Sequence, residues 1–371
     1  MNLYDFPAPR TSITALSASI LHHYGCPTPN PTLPQADVLL ASAPRNVVLL
    51  LLDGLGETIL TSHLPETDFL RHHHLGTLSS VFPPTTAAAA TALETALFPS
   101  QSGWLGWSVF WPPLETNVAL YPNTTDDGTE AAPVHIGNTF LSTRHITEII
   151  RETCKIPCFS IHADGDLPAS GLPEILERIR TVCCLPGPHM IYGYFNEPDH
   201  LLHKTGCSSE QVSAYLADAS RQLRALREVC PDTLFFLTAD HGFTDIEGLC
   251  LEDYPELKAT LIRMPSIEPR AMNLFVKPEC HETFLHLWEK IVGNSYDLLS
   301  HEQVLKDNLF GPGPAHPLLD QMLGDYLAVA KTKLTLFPTR SYLQSMVAAH
   351  GGMTPRELTV PFISFKGAVA K

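Results

Sequence analysis

Basic residues are scarce in this chain: 24 Lys and Arg stand against 39 Asp and Glu, a net charge of -15 over 371 residues. That balance repels nucleic-acid backbones and anionic membranes. No basic patch offsets it, so neither a nucleic-acid polymer nor a membrane is an expected partner. Long apolar runs are missing as well. The longest uninterrupted one, Val47 to Leu52, stops at Asp53, well short of the ~18 residues that suggest a bilayer span. The start, MNLYDFPAPR, lacks the basic segment and apolar stretch of a secretory signal. Cysteines number nine, an odd count at irregular spacings, which excludes a simple disulfide framework. Together these absences predict a cytoplasmic protein. Pro (32) and Gly (22) stay well under the ~25–30% that marks low-complexity disorder, so the chain is expected to fold.

Short apolar runs do occur, and they are regular. NVVLLLL (46–52), MIYGYF (190–195), TLFFLT (233–238) and TVPFISF (359–365) alternate with segments of helical period such as 210–229. Strands that are apolar at every position belong in a sheet covered on both faces. The predicted class is therefore α/β, a mostly parallel central sheet with helices on both sides. Residues 1–45 are rich in Pro, Ser and Thr and read as a loosely wrapped N-terminal arm on the core, with a short helix at 14–22. The catalytic core is assigned to 46–246 and 331–371. A change of texture at 247–330 reads as an inserted α+β cap subdomain, with strands at 272–276 and 326–330 and a helix at 282–291.

Polar groups gather where these strands end. Asp53 follows the first strand directly in LLLLDGLG, and Thr86 opens a small-residue helix in SSVFPPTTAAAATAL. Asp199 and His203 follow the second run in NEPDHLLHKTG, four residues apart and so on one helical face. Asp240 and His241 follow the third in ADHGF, and His350 precedes the last in AAHGGM. Open α/β sheets place ligands at this edge. Three carboxylates, three imidazoles and a hydroxyl on one rim call for bound cations, since uncompensated carboxylates repel one another and lose hydration. Mixed carboxylate and imidazole donors favour zinc over magnesium or calcium, and seven ligands suit two divalent ions with a position left open.

At these residues the chain resembles the alkaline phosphatase superfamily, and within it the nucleotide pyrophosphatase/phosphodiesterase branch. The resemblance implies that Asp53, Thr86, Asp240 and His241 hold one metal while Asp199, His203 and His350 hold the other. Set against the family's F-P-T-K-T turn, FPPTT makes Thr86 the nucleophile and Thr85 its neighbour. The implied activity is a two-zinc phosphodiesterase or nucleotide pyrophosphatase that works through a covalent phosphothreonine on a small phosphodiester or nucleotide-like substrate.

Departures from the family bear on the substrate. Where nucleotide-specific members carry a base-stacking Phe and a phosphoryl-binding Asn, this chain has Ala87 and Ala89. Tyr194, before the E-P-D motif, keeps an aromatic. Trp104, with its neighbours at 107 and 111, either lines a pocket or packs in the core. Arg270, in IEPRAMNLFV, reads either as an anion contact from the cap or as the partner of a carboxylate such as Glu268. A phosphomonoesterase of the same superfamily is the nearest rival; dianionic monoesters normally require an Arg or a third cation near the nucleophile, and residues 86–103 contain no Arg or Lys. A sulfatase would need a C-x-P-x-R motif, and a phosphoglycerate mutase a serine in the turn. A metal-stabilised binding domain without turnover is the non-enzymatic alternative.

Overall fold

The computed structural model describes residues 9–28, 30–141 and 144–368. All seven residues of Asn46–Leu52 are buried, as an apolar strand at the centre of a covered sheet must be. This strand lies between His189–Phe195 and Thr233–Thr238, parallel to both, with Asn46 opposite His189 and Thr233. Cys158–Ile161 extends the sheet in parallel on one side. On the other, Thr359–Lys366 runs antiparallel between Thr233–Thr238 and His74–Ser79. The six-stranded order is thus 74–79, 359–366, 233–238, 46–52, 189–195, 158–161. Parallel alignment brings the carboxyl ends of the three central strands to one edge, and Asp53, Asp199 and Asp240 follow them there.

A second sheet of seven strands is antiparallel, in the order Tyr296–Ser300, Tyr326–Ala330, Ala271–Leu274, Ser266–Glu268, Ser108–Trp111, Thr116–Ala119, Thr124–Thr125. It joins strands from the expected cap to strands at 108–125, which the sequence assigns to the core. Glu247–Cys250 pairs with Leu334–Phe337 across the other expected boundary.

The N-terminal arm departs from its expected looseness. Its helix, Ile13–His23, is buried from Ile13 to Leu21. It packs on the helix Thr86–Thr95, where the Ser17 hydroxyl donates to the Leu93 carbonyl at 2.5 Å. Ser12 caps the helix by accepting from the Ala15 N–H. Nearby, the Asn30 side chain donates to the Ala96 carbonyl at 2.7 Å. Serine hydroxyls that read as loop composition in the sequence are here bonded inside the fold: Ser12 and Ser19 each accept from a backbone N–H, and Ser17 and Ser19 each donate to a carbonyl.

Candidate active site and metal centre

Backbone contacts fix the ligand-bearing turns before any side chain enters. The Asp53 N–H bonds the Phe195 carbonyl at 3.0 Å, and the Asp53 carbonyl accepts from the Asp199 N–H at 2.9 Å. Gly54, at φ +72, brings its backbone so near Asp199 that a Cβ would lie 2.9 Å from the Asp199 Cα. Gly242 is tighter still, with 2.0 Å from a built Cβ to the Arg356 carbonyl oxygen. A side chain at Gly54 would force apart the Asp53 and Asp199 turns, and one at Gly242 would push the Asp240–His241 turn off the Arg356 backbone.

All seven rim residues converge. The Thr86 hydroxyl lies 3.4 Å from Asp53 Oδ1 and 3.2 Å from His241 Nε2. His241 Nε2 is 3.4 Å from Asp53 Oδ1 and 3.4 Å from Asp240 Oδ2. Asp199 Oδ1 faces His203 Nε2 at 3.4 Å, His350 Nε2 at 3.6 Å and His241 Nε2 at 4.0 Å. Apart from the short Thr86 contact, these separations are long for hydrogen bonds. Except for the 4.0 Å Asp199–His241 separation, they match the spacing of donors arranged tetrahedrally about one ion at ~2.0–2.2 Å, whose atoms sit roughly 3.3–3.6 Å apart. Asp53, Asp240 and His241 form one compact donor group, and Asp199, His241 and His350 another.

Two features show that the donors suit cations. Asp199 Oδ1 and Asp240 Oδ2 are buried and have no hydrogen-bond partner, a costly state for a carboxylate unless a cation meets it. Each imidazole is also turned by a carbonyl behind it: His203 Nδ1 faces Ala348 O at 2.8 Å, His350 Nδ1 faces Pro84 O at 3.1 Å, and His241 Nδ1 faces Gly242 O at 3.3 Å. A carbonyl accepts only from N–H, so the proton sits on Nδ1 and the Nε2 lone pair points inward.

The electrostatics agree. Burial, together with Asp240 and Asp199 alongside, holds the Asp53 carboxyl well above the usual range, against the pull of the Tyr194 hydroxyl. Burial, helped by the adjacent His241 and His203 rings, keeps His350 far below the usual imidazole value, hence neutral and able to donate its lone pair. Burial lowers His203, yet the Asp199 carboxylate outweighs it and the net displacement is upward.

The substrate-side expectations fare unevenly. The hydroxyl of Tyr194 donates to Asp53 Oδ2 at 2.6 Å, so its polar end orients a metal-site carboxylate. Trp104 is 3% exposed and packs against Tyr121, which favours the core reading over the pocket reading for it, whereas Trp107 is 44% exposed. Ala87 and Ala89 are fully buried and present no donor. Arg270 is no anion contact. It is 0% exposed and forms a two-point pair with Glu357, Nε to Oε1 at 2.6 Å and Nη2 to Oε2 at 2.8 Å, with Thr335 and the Thr332 carbonyl taking further N–H groups. Deleting one partner of such a buried pair leaves the other charge uncompensated. Arg270→Ala is therefore expected to lower unfolding free energy by about 3–5 kcal/mol in a denaturant titration, with Arg270→Met less damaging.

Two acids were given no place at the site from the sequence: Glu268, read there only as a possible partner of Arg270, is buried, and Glu94 is half-buried. Glu268 accepts from the Thr85 hydroxyl at 2.6 Å and from the Trp107 N–H at 3.2 Å. Glu94, two turns below Thr86 on its helix, accepts from the Tyr192 hydroxyl at 3.0 Å. Burial pushes the Glu94 carboxyl from 4.5 up to about 7, against the pull of that hydrogen bond. Between those values the folded protein holds a proton that the unfolded chain releases, so stability falls as pH rises through the window. Glu94→Gln is expected to flatten the pH 5–7 stretch of the stability profile and to raise neutral-pH stability by about 2 kcal/mol; an unchanged slope in urea titrations at pH 5 and pH 7 would count against it.

Residues 108–352 match the family model of type I phosphodiesterase / nucleotide pyrophosphatase. The chain belongs to that family. The matched stretch carries Asp199, His203, Asp240, His241 and His350; Asp53 and Thr86 precede it. The family consists of metal-dependent phosphodiester and pyrophosphate hydrolases, and the chain has candidate metal-holding groups where such an enzyme needs them. Among similar solved structures is murine ectonucleotide pyrophosphatase / phosphodiesterase 5, determined as an inactive variant in complex with AMP, at 15% identity and TM-score 0.62 over 87% of this chain and 88% of that one. Phosphonoacetate hydrolase from Sinorhizobium meliloti 1021, in complex with phosphonoformate, aligns at 15% identity and TM-score 0.64 over 87% and 90%. Both likenesses establish the alkaline phosphatase-like fold. By sequence alone, no curated protein is a significant match. Among the described residues no helix is long and apolar enough to cross a membrane.

Proposed function

We propose that this family member is a two-zinc phosphodiesterase or nucleotide pyrophosphatase in which Thr86 is the nucleophile. The observation that carries the reading is the placement of the Thr86 hydroxyl, within 3.4 Å of Asp53 and 3.2 Å of His241, beside two buried carboxylate oxygens without partners. Asp53, Asp240 and His241 would hold one ion with Thr86, and Asp199, His203 and His350 the other. Bound zinc supplies positive charge that lowers the pKa of the hydroxyl and of a hydrolytic water and offsets charge on the leaving oxygen.

The chain's own residues do the rest. Thr86 stands at the start of the helix Thr86–Thr95, whose first free N–H groups face an approaching phosphoryl oxygen. Its Oγ forms a bond to phosphorus as the bond to the leaving oxygen breaks, giving a phosphothreonine. Water then adds to phosphorus from the opposite side and the Oγ–P bond breaks, restoring the hydroxyl. Tyr194 and the carbonyls of Ala348, Pro84 and Gly242 hold carboxylate and imidazoles in register throughout. The cap reading also stands as a proposal: Glu268, on the second sheet and within 247–330, accepts from the Thr85 hydroxyl of the nucleophile turn, which supports that sheet as one wall of the pocket. Cytoplasmic residence fits nine cysteines that are all free.

A screen on zinc-loaded protein tests the activity. Bis-p-nitrophenyl phosphate, or a nucleotide releasing AMP, is expected to turn over faster than p-nitrophenyl phosphate or phosphonoacetate. Preference for the monoester or the phosphonate would replace the reading with a sister activity.

A further inference from the structure

The turn that presents Thr86 is held by three consecutive residues, each tied to a different part of the molecule. The Pro84 carbonyl accepts from His350 Nδ1 at 3.1 Å. The Thr85 hydroxyl donates to Glu268 Oε1 at 2.6 Å. The Thr86 hydroxyl lies beside Asp53 and His241. Glu268 lies on the other sheet, 183 residues along the chain, and the same oxygen accepts the Trp107 N–H at 3.2 Å. Its stem passes beside the other ligand-bearing turn: a Cβ on Gly351, at φ +106, would come within 3.2 Å of Glu268 Cβ and 3.3 Å of Cγ. The carboxyl group is therefore lodged between the Thr85–Thr86 turn and the His350–Gly351 turn.

The backbone is distorted to put it there. Ile267, just before Glu268, is buried and holds φ +75, a conformation that β-branched residues almost never adopt. Gly106 makes room, since a Cβ there would lie 2.7 Å from the Ile267 side chain and 3.1 Å from its Cα. An outlier of this kind persists only where the surrounding structure over-determines it, and such outliers gather at functional sites.

We propose that Glu268 is a positioning residue for the nucleophile: through Thr85 it sets the turn from which Thr86 attacks, and so makes the second sheet part of the catalytic apparatus. The effect on rate rests on the assignment of Thr86 as nucleophile; the effect on the turn does not. A misplacement of about 1 Å in a reacting group costs on the order of 10²-fold in rate, so the consequence should appear in kcat and leave substrate affinity nearly intact. Gln at 268 keeps an acceptor oxygen for both donors and should restore the turn; Ala should not.

The test combines steady-state kinetics on zinc-loaded protein with amide hydrogen exchange over peptides covering residues 80–90. Glu268→Ala and Thr85→Val are each expected to lower kcat roughly 10- to 100-fold, with KM within about threefold and faster exchange in that segment. The double variant should be no slower than the worse single one, because both remove the same link. Glu268→Gln should stay within about threefold of the parent in kcat and match its exchange. If Glu268→Ala does not fold, Thr85→Val carries the same comparison against Glu268→Gln. Unchanged kcat and exchange, a rise in KM at constant kcat, or additive losses in the double variant would each overturn the proposal. Should no phosphodiester be turned over by the parent, the functional reading fails, and the exchange measurement still decides whether Glu268 holds the turn.

Discussion

Thr86→Ala is expected to reduce diester turnover by ~10³-fold or more with little change in melting temperature. The substitution removes the atom proposed to bond phosphorus and no core contact. Alanine is an excellent helix former, and Thr86 is only half-buried at the first turn of a helix already rich in alanine. Thr85→Ala is expected to be milder, although not silent, since its hydroxyl answers the buried Glu268 carboxyl. Assays of the two variants beside a thermal melt separate the positions. Equal losses would show that the nucleophile's place in the turn has been misjudged by one residue.

Stripping divalent ions is expected to abolish turnover and to lower the melting temperature by several degrees. The site packs Asp53, Asp199 and Asp240 together, with two carboxylate oxygens unpaired and the Asp53 carboxyl held well above its usual range by burial and by its neighbours. An ion that binds only the folded chain adds about 4 kcal/mol at a thousandfold excess over its Kd. Elemental analysis after reloading should give two ions per chain, with zinc preferred. Protein that melts identically with and without chelator and carries only traces of metal would contradict the site as described.

Much of this site was legible in the sequence because of how covered parallel strands look. NVVLLLL and TLFFLT are apolar throughout, so the first polar residue after each marks the ligand-bearing edge, and Asp53 and Asp240 stand there. His203 followed from helical spacing, four residues after Asp199. The second sheet was harder to see. Ser266–Glu268 has three residues and Ser108–Trp111 four, too few for a two-fold pattern to register. Their pairing joins residues far apart in the chain, so the edge that brings Glu268 to Thr85 left no local trace. Arg270 was left open between two readings for the same reason. Its partner Glu357 is 87 residues away, and a buried ion pair and an anion-binding arginine look alike until the partner is found. In the N-terminal arm the helix at 14–22 was legible but its burial was not, because Ser and Thr report polarity and not whether a partner such as the Leu93 carbonyl exists.

The central claim is that phosphorus is attacked twice, first by Thr86 and then by water. Each in-line attack inverts phosphorus, so two in succession restore the original configuration. Hydrolysing a phosphorothioate diester of defined handedness in isotopically labelled water and determining the configuration of the product therefore tests the claim most directly. The account predicts retention, accompanied after acid quench by an adduct on the peptide that contains Thr86. Inversion would mean that water attacks the substrate directly, and Thr86 would then be a ligand and not a nucleophile.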